Sequence, residues 1–137
     1  MTAARGKKVR LPISSRDKAP AANPRKIIVA DPDEITVAEL RKLLSGGDKP
    51  LLLDVRERDE FAARRIGGSV NVPAGTVFAG VLDRQLPKNR LVVTICEHGN
   101  RSFYAKRELS ARGFACRSLR GGVEAWADSG GPTVSSR

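Results

Sequence analysis

The sequence predicts an α/β fold built on a central parallel sheet, and three observations carry that expectation. Leu51-Leu52-Leu53-Asp54-Val55 and Leu91-Val92-Val93-Thr94-Ile95-Cys96 are continuous rather than alternating apolar runs, the pattern of strands buried on both faces. Segments with helical spacing fall between such runs and after them, at the short intervals of strand–helix units. At 137 residues, the chain has room for one ordinary domain.

The elements follow in order. Thr36 stands three residues before Glu39, the spacing of a capping box. Val37, Leu40, Leu43 and Leu44 then recur at helical intervals, and Gly46-Gly47 stops the helix. The strand at 51–55 comes after Lys49-Pro50, and a short helix is expected over Arg58–Ala63. Ser69–Val72 reads as a short strand closed by Pro73, with a helical turn or two over Thr76–Leu82. Leu91–Cys96 is β-branched and uninterrupted, the clearest strand. Arg101–Arg112 sets Phe103, Ala105, Leu109 and Ala111 among charges, with Gly113 as a stop, which reads as an amphipathic helix. Phe114–Leu119 is the next strand, and Gly121-Gly122 leads into a helix holding Val123, Ala125 and Trp126.

The formal net charge is +10, but it is unevenly spread. Residues 1–26 carry eight cations and one anion, while residues 27–137 carry seventeen and fourteen. The first stretch has three prolines and no aromatic residue, too little apolar surface to offset the entropy of ordering it. It is expected to be a flexible basic arm, solubilising or able to contact nucleic acid or an anionic surface, ahead of a domain over 27–137. No apolar run approaches the roughly 18 residues of a spanning helix, and no secretory leader is expected. Two cysteines cannot build a disulfide framework, nor, with one histidine, an all-Cys/His zinc site. A cytoplasmic location and no cofactor or metal are expected.

Chemistry concentrates in Cys96-Glu97-His98-Gly99-Asn100-Arg101-Ser102, which joins the strongest strand to the start of a helix. Ligands of open parallel sheets bind at the carboxyl ends of strands. Helix N-termini present unpaired N–H groups and the positive end of the dipole. That setting favours a thiolate at Cys96. Gly99 lets the loop curl so that successive N–H groups face inward, as an anion nest.

This stretch resembles the six-residue active-site loop of rhodanese-like domains, which are sulfurtransferases. Leu53-Asp54-Val55-Arg56, Glu60-Phe61 and Ile66–Pro73 resemble the family's first signature. Leu119-Arg120-Gly121-Gly122, Ala125-Trp126 and Gly131-Pro132 resemble its C-terminal signature. The chain departs from the family at Arg64-Arg65, where Gly-His is frequent, and at Gly67, where proline is frequent. The resemblance implies a single domain with helices on both faces of the sheet. It also implies that Cys96 is the nucleophile, taking a sulfane sulfur from thiosulfate or a persulfide donor and passing it to a thiol, cyanide or a protein acceptor. Glu97, His98, Gly99, Asn100, Arg101 and Ser102 would form the substrate-binding loop, and Asp54 and Arg56 would brace it.

Other readings stay open. A cysteine phosphatase or arsenate reductase needs five residues between cysteine and arginine; four separate Cys96 from Arg101. A regulatory binding module or a persulfide carrier for a protein partner shares the fold. Cys116, mid-strand, is expected to be a packed thiol. His98 tempts a Cys–His dyad but is expected to point to solvent or substrate, and Arg101 is either an anion anchor or a loop-closing residue. Glu97 beside the nucleophile, with Arg101 as the loop's fixed cation, predicts weak binding of dianionic thiosulfate and preference for a thiol-linked persulfide.

Overall fold

The computed structural model describes residues 31–136. The expected basic arm at 1–26 and the expected start of the domain at Ile27 lie outside the described residues. The chain order is β1 (Glu34–Ile35), α1 (Val37–Leu44), β2 (Leu51–Asp54), α2 (Arg58–Ala63), β3 (Arg65–Ile66), β4 (Val70–Asn71) and α3 (Ala74–Ala79). A 3-10 turn at Asp83–Gln85 precedes β5 (Val92–Ile95), α4 (Asn100–Ala111), β6 (Cys116–Leu119), α5 (Gly122–Asp128) and β7 (Thr133–Val134). Five strands form one parallel sheet in the order β1-β6-β5-β2-β4. β3 and β7 pair separately and antiparallel.

Every residue of β2 and β5 is buried, which is why their sequences run apolar without alternation. Their side chains still divide by parity. Leu51, Leu53, Val55, Val92 and Cys96 join Val77 of α3 and Ala105 and Leu109 of α4 in one core. Leu52, Leu91, Val93 and Ile95 join Leu40 of α1 and Val123 and Trp126 of α5 in the other. Helices therefore cover both faces, and Cys96 leaves β5 on the α3–α4 side.

Both halves of the capping box form at the start of α1. The Glu39 N–H donates to Thr36 Oγ1 at 3.1 Å, and the Thr36 N–H donates to Glu39 Oε1 at 2.8 Å. The expected turns over Thr76–Leu82 resolve into α3, starting two residues earlier after Pro73, and the 3-10 turn beyond Gly80. The expected strand at 114–119 shortens to four residues, with Cys116 at its start. Among the described residues no helix is long and apolar enough to cross a membrane.

Because α1 seals one face of the sheet through Leu40, its cap should matter globally. Thr36→Ala is expected to lower unfolding free energy by about 1 kcal/mol, read as a shifted urea midpoint with unchanged slope; no shift would mean that packing alone starts the helix.

Candidate active site

Cys96 follows the last residue of β5 and is 2% exposed. The chain then turns through Glu97 and His98 to Gly99, which caps α4 with φ +109°, a conformation that glycine adopts without strain. The Gly99 N–H donates to Cys96 Sγ at 3.0 Å. Ser102, in the first turn of α4, lies 3.4 Å from Cys96 Sγ through its hydroxyl and shares a 2.8 Å hydrogen bond with Ser118 Oγ of β6. Both serines are fully buried. Ser118 went unnoticed in the sequence, where it stands between Arg117 and Leu119 in β6 with no local pattern to single it out.

The loop is held from below by α5. The Val123 N–H donates to the Cys96 carbonyl at 2.9 Å and the Glu124 N–H to the Glu97 carbonyl at 3.1 Å. A trans peptide sets its C=O and N–H antiparallel. Turning these two carbonyls toward α5 therefore turns the Glu97 and His98 N–H groups to the opposite side. Gly122 makes this approach possible: a Cβ there would collide with the Cys96 and Glu97 carbonyl oxygens. The pair Gly121-Gly122 is thus a support for the loop as well as a turn.

Side chains of the loop engage neighbouring elements. Arg56, 1% exposed, donates from Nε and Nη2 to Asp54, from Nη2 to the Arg64 carbonyl at 2.6 Å, and from Nη1 to Glu97 Oε1 at 3.0 Å. Arg64 Nη2 donates to the other Glu97 oxygen at 2.8 Å. Burial opposes the Arg56 charge, but Asp54 and then Glu97 outweigh it and hold the guanidinium above its ordinary pKa. Asn71 secures the turn after β2, donating to the Asp54 and Arg56 carbonyls.

Arg101 donates through Nη1 and Nη2 to the two Glu60 oxygens at 2.8 and 2.9 Å. That pairing raises Arg101. Hydrogen bonds from Arg101, then from the Glu57 N–H, pull the Glu60 carboxyl down to about 2. His98 is exposed and meets Glu124 across 2.9 Å. The structure adds to the expected Glu97 anion and fixed Arg101 cation what the sequence did not show: Glu97 is paired with Arg56 and Arg64, and Arg101 with Glu60. Cys116 is 1% exposed, and burial pushes its thiol up to about 12. Among the described residues no cluster of His, Cys, Asp and Glu could hold a metal ion. An apolar groove of about 530 Å³, lined by Leu44, Ile66, Trp126 and Val134 among others, contains none of these loop residues.

The sequence profile of the rhodanese-like domain matches residues 36–129. The chain belongs to the rhodanese-like domain family. It is 33% identical over 103 residues to a sulfurtransferase of Allochromatium vinosum, covering 74% of this chain and 94% of that protein. It is 32% identical over 106 residues to the adenylyltransferase and sulfurtransferase UBA4 of Yarrowia lipolytica, covering 77% of this chain and 26% of that protein. The chain thus spans about a quarter of the adenylyltransferase and sulfurtransferase proteins it matches. A rhodanese-related protein of Thermoplasma volcanium superposes with a TM-score of 0.67 at 30% identity, covering 74% of this chain and 97% of that one. Sulfur transfer is the activity that the names of these curated relatives share.

Two outcomes follow from the charge pairing. Glu60 has a depressed carboxyl, so its contribution is fully present above the ordinary value of 4.5 and fades as pH falls toward about 2. Glu60→Gln should therefore cost stability at pH 6, no more than about 1 kcal/mol for a half-exposed pair, with the gap to wild type narrowing by pH 3 in paired urea titrations. Glu97→Lys should destabilise by about 1–3 kcal/mol, since it sets a third cation against Arg56 and Arg64; a variant as stable as wild type would show that this charge network is slack.

Proposed function

We propose that this domain is a sulfurtransferase that carries sulfane sulfur as a persulfide on Cys96. The observation behind this reading is a buried cysteine at the end of the central strand, with the Gly99 N–H on its sulfur and the loop carbonyls turned away beneath it. The Cys96 thiolate attacks the outer sulfur of thiosulfate. A cysteine–sulfur bond forms, the donor S–S bond breaks, and sulfite leaves with the bonding pair. A thiolate or cyanide then attacks the outer sulfur of the persulfide, and Cys96 departs as thiolate. No net redox change occurs, and the cycle is ping-pong covalent catalysis. Glu97 and His98 N–H groups, the Gly99 N–H and the first-turn amides of α4 would stabilise the sulfur anion. The Cys96 thiol donates to Ser102 Oγ, with Ser118 behind it.

In this reading Asp54 and Arg56 brace the loop, and Glu97, His98 and Arg101 shape its rim through their backbone and partners. A protein acceptor is the second reading, favoured by relatives in which the matching region is part of an adenylyltransferase and sulfurtransferase. We place the chemistry in a cytoplasmic setting where free thiols abound. The basic arm at 1–26 stands outside it, as the segment suited to a nucleic acid or another anionic surface.

The test is intact-mass analysis after incubation with thiosulfate. One added sulfur, located on the Cys96 peptide and removed by cyanide, is expected in wild type and in Cys116→Ser. Cys96→Ser should take none while keeping its fold. Sulfur retained by that variant would place the nucleophile elsewhere.

A further inference from the structure

The Glu97 carboxylate sits one residue from the sulfur-bearing cysteine, so its Cα lies about 3.8 Å from that of Cys96. Each of its oxygens has its own guanidinium, Arg56 on Oε1 and Arg64 on Oε2. The two arginines differ in kind. Arg56 is enclosed and already matched by Asp54, which receives its Nε and Nη2. Arg64 is 42% exposed, and Glu97 is the acidic partner it holds at 2.8 Å. The four groups sum to zero charge: two carboxylates and two guanidinium groups. Taking away Arg64 leaves the set at −1 beside the nucleophile. Of the other loop side chains, Arg101 faces Glu60 and His98 faces Glu124, so neither stands ready to replace the lost cation.

We infer that Arg64 is a specificity-determining residue for the sulfur donor: paired with Glu97 beside Cys96, it lets anionic sulfane donors approach a loop that an unmatched Glu97 carboxylate would close to them. The inference rests on the reading that Cys96 receives the sulfur. Arg64 acts through charge and through the position of Glu97, so it is a positioning residue rather than a catalytic one. Its effect must scale with donor charge, since the interaction of a fixed charge with an approaching ion is proportional to the ion's charge. It must also weaken with salt, because the pair is part-exposed and the Debye length is about 8–10 Å at moderate ionic strength.

The experiment uses the full chain. Wild type, Arg64→Ala, Arg64→Gln, Arg64→Lys, and Arg64→Ala combined with Glu97→Gln are assayed with cyanide as acceptor. The donors are thiosulfate, a dianion, and benzenethiosulfonate, a monoanion. Arg64→Ala and Arg64→Gln are expected to raise KM for thiosulfate roughly five- to tenfold, and for benzenethiosulfonate by about the square root of that factor. The kcat should change by less than about twofold, and added salt should shrink both KM effects. Arg64→Lys should stay near wild type, and the double variant should recover most of the lost KM. Recovery on removing a second charge is an outcome that damage to the fold does not produce. Equal KM increases for the two donors, no rescue by Glu97→Gln, or an unchanged KM would overturn the inference while leaving sulfur transfer intact. A wild type that takes no sulfur from either donor would overturn the Cys96 reading and this inference with it.

Discussion

The guanidinium of Arg56 is the constraint on which the site depends. It is a buried charge, and a buried charge is tolerated only where its donors are satisfied and its charge is matched. Here the donors reach three separate parts of the chain: Asp54 at the end of β2, the Arg64 carbonyl beyond α2, and Glu97 in the loop after β5. None of these contacts can loosen without leaving an unpaired polar group out of water. The loop after Cys96 is thereby tied to the carboxyl end of β2 and to the end of α2, and α2 in turn supplies Glu60 to Arg101. Positions far apart in sequence are held as one unit by a planar group with a fixed fork geometry.

The second support comes from backbone rather than side chains. Helix α5 meets the loop with its first N–H groups, which every helix leaves free, and spends them on the Cys96 and Glu97 carbonyls. Peptide geometry then decides which way the loop amides point. The requirement falls on Gly122, the residue whose missing side chain allows the approach. Arg56 from the side and α5 from below thus fix the position of the loop and turn its Glu97 and His98 N–H groups away from α5.

The parts of this arrangement that were legible in the sequence are those that local pattern dictates. The continuous apolarity of 51–55 and 91–96 marked the central strands, because burial on both faces removes the polar alternation. Thr36 and Glu39 marked the start of α1, because a capping box is complete within four residues. The strands β1, β3 and β7 were not foreseen: two-residue strands are too short to show a period, and they exist because a neighbouring strand offers partners. Cys96 stood out because a strand end, a glycine and a helix start coincide there. Charge matching did not stand out. Arg56 and Glu97 are 41 residues apart, Arg64 and Glu97 are 33 apart, and no local pattern reports such a pairing. Read as isolated residues, Glu97 looked like a repulsive anion and Arg101 like either an anion anchor or a loop-closing residue; folding pairs Glu97 with Arg56 and Arg64, and Arg101 with Glu60.

That pairing also separates this loop from the phosphoryl-binding loops it resembles in outline. A cysteine phosphatase needs its arginine turned toward the oxyanion, because a phosphate group brings two charges and three equatorial oxygens that want a bidentate partner. Here both terminal nitrogens of Arg101 are taken by Glu60, and a Glu60 carboxyl held down to about 2 stays charged at any ordinary pH. Freeing Arg101 would leave that carboxylate with the Glu57 N–H but without its ion-pair partner. Four intervening residues also curl more tightly than five. In the reading proposed above, an incoming group meets backbone N–H groups, with the Gly99 N–H on Cys96 Sγ, while the loop's own guanidinium, Arg101, is engaged by Glu60. Dispersed partial charges of that kind suit the single soft anion of a persulfide, and they do so without binding it so tightly that the next thiolate cannot take the sulfur away.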